Sequence, residues 1–404
     1  MKIPTIAILT LILGLTACKH QQTITQDAQS FPNYSNPLPP GSPALRQVNL
    51  TDWPDVGGAW EDRDLFLRDS IDHSISWFDA PSSKQWFPIE GVTHEQAKNS
   101  VIVIRELIEV SETKKEFISS IQERFNLYKS VGCDGVGTVL FTGYYAPDFK
   151  ASKNASTQFT AALYERPSDL MSDPASGKPL GRKLPNGLIE PWPTRKDLEA
   201  SGDLEGLELV WVKDELDAYT IHVNGSARLR MDSGELMYIG YAGKTDQPYT
   251  GLGQSVLEGG LLTEDKLSLR AIRKLYDKNP NQVNDLIEKN ASYVFFREYN
   301  GGNWPAGSLG VPVTAQRSIA TDKRIFPRGG VVLVDTTINS LTGEKRSFTQ
   351  FMTDQDTGGA IRAPGRADLF MGVGPSAGIK AGDQYEEGQL YYLFLKPDSI
   401  ALVE

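Results

Sequence analysis

The pattern that most limits the fold is a long succession of short apolar segments broken by Gly, Asp or Asn. Leu207–Val212, Ala218–Val223, Ala227–Met231 and Glu235–Tyr241 are runs of five to seven residues separated by such breakers. After Asn290 the pattern returns at Tyr293–Phe296, Val311–Ala320, Gly330–Asp335, Phe348–Thr353, Asp368–Val373 and Leu390–Leu395. Runs of this kind predict strands, and about six of them in the last third suggest a closed barrel. The Pro/Gly-rich stretch 174–193 reads as one long loop.

Helical spacing comes earlier and between. Leu65, Ile71, Ile75 and Phe78 predict a helix within 60–78. Thr93 with Gln96, and Thr113 with Glu116, fit capping boxes that open helices over Ala97–Val110 and Phe117–Tyr128, packed in tandem as a hairpin. Thr263 is expected to cap Glu264–Tyr276, and Asn279-Pro280 to open a short helix ending at Lys289.

The first residues are of another kind. Lys2, the apolar run Ile3–Leu15 and the ending Leu15-Thr16-Ala17-Cys18 form a charged start, a core too short for a comfortable membrane span, and a small-residue exit. That is a secretory signal. Its ending resembles a bacterial lipobox, which implies that residues 1–18 are a lipoprotein signal with Cys18 as the lipidation site. Lys19 in the next place suggests sorting to the outer membrane, facing the periplasm. Residues 19–45 are polar and rich in Pro, Asn, Ser and Gln, as expected of a flexible tether. With Cys18 lipidated, Cys133 has no partner for a disulfide, so the core alone must hold the protein together.

With 51 acidic against 41 basic residues and no dense Lys/Arg cluster, nucleic-acid binding is excluded as a function class. His20, His73, His94 and His222 fall in no metal-site spacing, and no cofactor is expected.

Chemistry is concentrated in the stretch Thr353–Phe370, TDQDTGGAIRAPGRADLF. It sets Asp354, Asp356 and Asp368 around the pair Gly358-Gly359, a pair that lets backbone reach positive φ and lets a ligand come close. Taken alone, it reads first as an Asp-Gly turn with solvated carboxylates. Thr142, Tyr144 and Tyr145 supply hydroxyls and flat faces suited to gripping sugar rings, although in a β-rich chain such a run is more often core.

Three motifs taken together are more specific: Asp322-Lys323-Arg324-Ile325-Phe326-Pro327-Arg328-Gly329, Asp356-Thr357-Gly358-Gly359-Ala360-Ile361 and Arg366-Ala367-Asp368-Leu369-Phe370. With Phe141-Thr142-Gly143-Tyr144-Tyr145, Tyr241-Ala242-Gly243-Lys244 and Ser292-Tyr293-Val294-Phe295-Phe296, the chain resembles the membrane-bound lytic murein transglycosylase A family over roughly residues 60–395. The resemblance implies a mainly β fold with flanking helices. A three-aspartate double-psi β-barrel would be built from 46–144 and 294–404, a smaller β domain inserted at 145–293, and a glycan groove would lie between them. It implies cleavage of the β-1,4 bond between N-acetylmuramic acid and N-acetylglucosamine without water, leaving 1,6-anhydromuramoyl ends, in cell-wall turnover. Asp356 would be catalytic, with Asp322 and Asp368 as supporting carboxylates that tune acidity or hold structure. Thr142, Tyr144, Asn224 (where the family usually has Gln), Ser226, Gly358 and Gly359 would bind the glycan. The implied partners are peptidoglycan strands, the outer membrane through the lipid, and cell-wall enzyme complexes.

Two rival readings stand beside this. Asp356-Thr357-Gly358 also spells an aspartic-protease loop, but that chemistry needs two such aspartates and the chain has no second Asp-Thr-Gly. A non-catalytic murein-binding lipoprotein on a degenerate barrel would be expected to lack the acid.

Overall fold

The computed structural model describes residues 32–174, 177–263, 266–340, 344–359 and 361–400. The signal, the lipobox Cys18 and the first part of the expected tether lie outside them. The rest of that tether is docked: the Tyr34 hydroxyl donates to Glu387 at 2.7 Å, and Ala44 is fully buried with its N–H on Glu90.

The chain enters through β1 (Leu45–Gln47), helices α1 (Gly57–Glu61), α2 (Leu65–Asp79), α3 (His94–Val110) and α4 (Lys114–Arg124), then β2 (Phe125–Ser130) and β3 (Val139–Ala146). The cap residues behave as their chemistry requires. Thr93 and Thr113 accept the N–H groups of Gln96 and Glu116, and Asp64 accepts that of Leu67 at the start of α2. The helix expected to run to Tyr128 stops at Arg124, because Phe125 and Leu127 alternate into the sheet and are fully buried there.

Strands β4 (Asp148–Ser152) and β5 (Ala161–Tyr164) follow, then β6 (Leu170–Ser172), β7 (Pro179–Lys183) and β8 (Ile189–Glu190). These last three form a small antiparallel sheet where one long loop was expected. Gly181, at φ 127°, lets two of its strands approach: a Cβ there would lie 2.4 Å from the Glu190 carbonyl oxygen. After α5 (Arg195–Ser201) come β9 (Glu208–Val212), α6 (Glu215–Asn224), β10 (Ser226–Met231) and β11 (Leu236–Lys244). The strand expected at Ala218–Val223 is therefore helix. Asp214 caps it by accepting the Asp217 N–H, and Leu216, Tyr219 and Ile221 are buried on it. Packing overrides the β-branched composition.

Helices α7 (Leu252–Glu258), α8 (Leu269–Lys278) and α9 (Pro280–Ile287) come next, with Ser268 rather than Thr263 capping α8. The chain then returns through β12 (Val294–Tyr299), β13 (Ser318–Ala320), β14 (Val331–Asn339), β15 (Lys345–Asp356), β16 (Arg366–Val373), α10 (Pro375–Asp383) and β17 (Tyr385–Leu395). Of the strand expected over Val311–Ala320, only its last three residues form a strand, with Pro312 in an isolated bridge to Ala306.

The main sheet runs β1-β2-β17-β14-β15-β13-β16-β3, and β17 also pairs with β3, which closes six strands into a barrel. Closure removes the unpaired edges that invite aggregation. β13 is parallel to β15, and β16 is parallel to β3, among antiparallel neighbours. One core fills the barrel and runs under α2 and α3, with Phe117, Phe125, Phe141, Phe326, Phe351 and Phe394 fully buried. The second sheet, β12-β11-β10-β4-β9-β5, has its own core around Leu163, Val210, Leu229 and Ile239.

Candidate active site

The end of β15 is held from several sides. Gln355 donates to the Ser70 carbonyl at 2.6 Å and to Ser74 Oγ at 2.9 Å, both on α2, and accepts from Ser318. Asp354 is fully buried and accepts from Thr321 at 2.8 Å, from Tyr392 at 2.6 Å and from the Lys323 ammonium. Thr357 bonds the Thr321 carbonyl at 2.8 Å. Asp356 sits among these pinned residues, so its backbone has little freedom.

The pairing register builds the site across the barrel wall. Ala320 on β13 lies opposite Asp356 on one side and opposite Asp368 on the other, and Asp368 lies opposite Thr142 on β3. Two strand spacings put the Cα atoms of Asp356 and Asp368 roughly 10 Å apart. Sequence positions 142, 320, 356 and 368 thus form one row.

Each aspartate has a different setting. Asp356 is half-buried, and its Oδ1 accepts the N–H groups of Ser308 and Thr357, both at 2.8 Å. Among the described residues it has no ion-pair partner. Burial pushes its carboxyl above the usual range, outweighing the two N–H groups, the nearby Tyr144 hydroxyl and the Lys323 charge, all of which act the other way. Asp322 is buried, receives Arg324 Nε at 2.8 Å and the Ala363 N–H at 2.9 Å, and is held below the usual range although burial alone would raise it. Asp368 accepts from Thr142 Oγ1 at 2.5 Å and from Arg366 Nε at 3.2 Å.

Burial, rather than a push from Asp322 and Asp368, is therefore the first cause of the raised pKa. Those two carboxylates are engaged with Arg324 and Arg366. Asp322 also fixes the loop after Gly359, because its carboxylate holds the N–H of Ala363, a non-glycine residue at φ 66°.

Tyr144 lies two residues beyond Thr142 on the same strand, its ring 5.1 Å from that of Phe370. Its hydroxyl is buried and close enough to Asp356 for each to perturb the other, but no hydrogen bond of good alignment joins them. Gly143, between them, is required by α10: a Cβ there would lie 2.5 Å from the Ala381 Cα. Gly358 and Gly359 do not use positive φ, against the expectation for that pair. At Gly358 an added Cβ would lie 3.2 Å from Ile361 Cδ1, whereas at Gly359 the nearest atom is Lys244 Nζ on β11, at 3.8 Å.

Asn224 and Ser226 flank a one-residue turn between a helix and a strand. Asn224 ends α6, its side chain bonded to the Thr220 carbonyl at 2.8 Å, and Gly225 at φ 72° turns the chain directly into β10 at Ser226. α6 and β10 both pack against β3, the strand of Thr142 and Tyr144.

Two family models match the chain, the MltA specific insert domain over residues 140–297 and the 3D domain over residues 317–394. The chain is 31% identical to the membrane-bound lytic murein transglycosylase A of Vibrio cholerae over 270 residues, which is 66% of this chain and 68% of that one. The chain belongs to the membrane-bound lytic murein transglycosylase A family. The fold agrees. A membrane-bound lytic murein transglycosylase from Agrobacterium tumefaciens superposes with a TM-score of 0.71 at 24% identity, covering 89% of this chain and 100% of that one. The E. coli MltA structure with bound chitohexaose gives 0.68 at 22%, covering 88% and 95%.

Within this family member, the residues missed by sequence reasoning are those that set the state of Asp356. Ser308 lies 48 residues upstream and carries no signal, since it acts through its backbone N–H. Lys323 lies within one of the quoted motifs, beside Asp322 and Arg324, but only the fold shows that it is buried and that its partner is Asp354.

Proposed function

We propose that this chain is a peptidoglycan lytic transglycosylase with Asp356 as its single acid/base. The observation that carries the reading is that Asp354, Asp322 and Asp368 are each neutralised by a cation, whereas Asp356 is crowded by protein and has backbone N–H groups on one oxygen only. That leaves Oδ2 free to carry the proton, whose hold burial strengthens. A retaining hydrolase would need a second free carboxylate about 5–5.5 Å away. The neighbouring carboxylates are occupied, which favours a nucleophile from the substrate itself.

In the proposed reaction Asp356 gives its proton to the bridging oxygen as the bond from C1 of the muramic acid to that oxygen breaks. The C6 hydroxyl of the same sugar then bonds to C1, and Asp356 takes its proton back. No water enters, and the product is a 1,6-anhydromuramoyl end. Thr142 and Tyr144, with Asn224 and Ser226 across from β3, would hold the sugars, and Gly358-Gly359 would let a ring pass close to the backbone. Residues 46–144 and 294–404 would act as the barrel domain and 145–293 as a glycan-binding insert. Lys244 of the second sheet approaching Gly359 supports a glycan path between them.

No helix among the described residues is long and apolar enough to cross a membrane. Lipidated Cys18 is the proposed anchor to the outer membrane. Replacing Asp356 with Asn should abolish release of soluble fragments from sacculi while glycan binding persists. An Asp356→Asn chain that still digests sacculi would remove the acid from the proposal.

A further inference from the structure

We infer that Lys244, reaching from the second sheet to the Gly358-Gly359 turn, is a specificity-determining residue that receives a carboxylate carried by the substrate's muramic acid. The inference rests on the murein reading above and deepens it. Lys244 is the last residue of β11, paired with Val294, and half-buried. Its Nζ lies 3.8 Å from the place a Cβ would take at Gly359, three residues along the chain from Asp356. Three residues span at most about 10 Å of chain, so this ammonium lies against the turn that leads away from Asp356, on the side where a substituent of the bound sugar would pass.

What distinguishes Lys244 is the lack of an anion. Lys323, Arg324 and Arg366 around the same site are each paired with an aspartate. Among the described residues Lys244 has no ion pair and no hydrogen bond, and the charge that acts on it is another cation, Arg362. Burial and Arg362 together lower its pKa, which means that its charged form is held at a cost. A partly desolvated cation facing a like charge is unfavourable until an anion arrives. In a chain of net charge -10, such an unmatched pair is not a by-product of a basic composition.

The ligand chemistry follows. A chain of N-acetylglucosamine alone carries no carboxylate. Murein carries one either as the free lactyl group on the muramic acid or, where that group is amidated, on the peptide stem. Both sources present the same group near the sugar whose C1 reacts.

The test measures binding by calorimetry in the Asp356→Asn chain, so that nothing is consumed. The ligands are chitohexaose, murein glycan stripped of its peptides, and stem-bearing murein glycan. Lys244→Met should weaken binding of one or both murein ligands about tenfold more than binding of chitohexaose. Lys244→Arg should restore the difference, and added salt should shrink it. A selective loss on stripped glycan assigns the lactyl carboxylate, and a selective loss on stem-bearing glycan assigns the stem. Equal loss on all three ligands, or no loss, overturns the inference; chitohexaose affinity and the thermal midpoint separate either result from misfolding. Failure of the murein reading looks different: the chain with Lys244 intact would bind neither murein ligand, and the inference would fall with it.

Discussion

At Asp356 two backbone N–H groups converge on one carboxylate oxygen while burial raises the affinity of the group for a proton, and burial wins. In the proposed mechanism Asp356 must be protonated before it acts, so activity should fall as pH rises through this raised pKa. Tyr144 is among the groups that pull that pKa down. In Tyr144→Phe the alkaline limb of the pH–rate profile should therefore move to higher pH, whatever happens to KM. A limb that stays in place or moves to lower pH would show that the tyrosine does not govern the acid. That Asp356 stands apart from the other aspartates was expected from the motif that carries it, and its place at the end of β15 agrees. The causes of its acidity were not: Ser308 acts through its backbone, and the expected contributors, Asp322 and Asp368, are engaged with arginines.

The site depends on a few short elements meeting at one point. The turn that brings Ser308 to Asp356 has no slack, since a Cβ on Gly307 would come within 2.7 Å of the Gln355 carbonyl oxygen and 2.8 Å of Val313 Cγ1. Gly307→Ala should push the Ser308 N–H away from Asp356. The expected result is a fall in kcat larger than any change in KM, within the roughly 10²–10⁴-fold that general acid–base catalysis supplies. Unchanged kcat would mean that this N–H does not matter to the chemistry. At this scale the strands of the barrel were readable, because alternation and breakers mark strands wherever one face is buried. Ala218–Val223 was misread because six residues with β-branched members fit either period. The deciding features were the Asp214 cap, a local bond to the Asp217 N–H, and the burial of Leu216 and Tyr219, which tertiary packing sets. The small sheet of β6, β7 and β8 was hidden by its Pro and Gly content, although Gly181 is what permits its close pairing.

For the molecule as a whole, the chain leaves the barrel after β3, builds the second sheet, and returns at β13 to complete the closed ring. Barrel closure therefore joins residues more than two hundred positions apart, such as Thr142 with Asp368. The closed barrel was expected from the sequence, but the strand pairs that close it and the docking of residues 33–44 were not. Tyr34 bonds Glu387, Leu38 packs on the main core and Ala44 is fully buried, so a chain beginning at Leu45 should be less stable than one beginning at Pro32. The difference should be about 2–4 kcal/mol, read from denaturant melts. Equal stability would mean that this segment only rests on the surface. Water-free cleavage by one acid is read out by mass spectrometry of the fragments that the chain releases from murein sacculi. It predicts 1,6-anhydromuramoyl ends; muropeptides with reducing ends would contradict it.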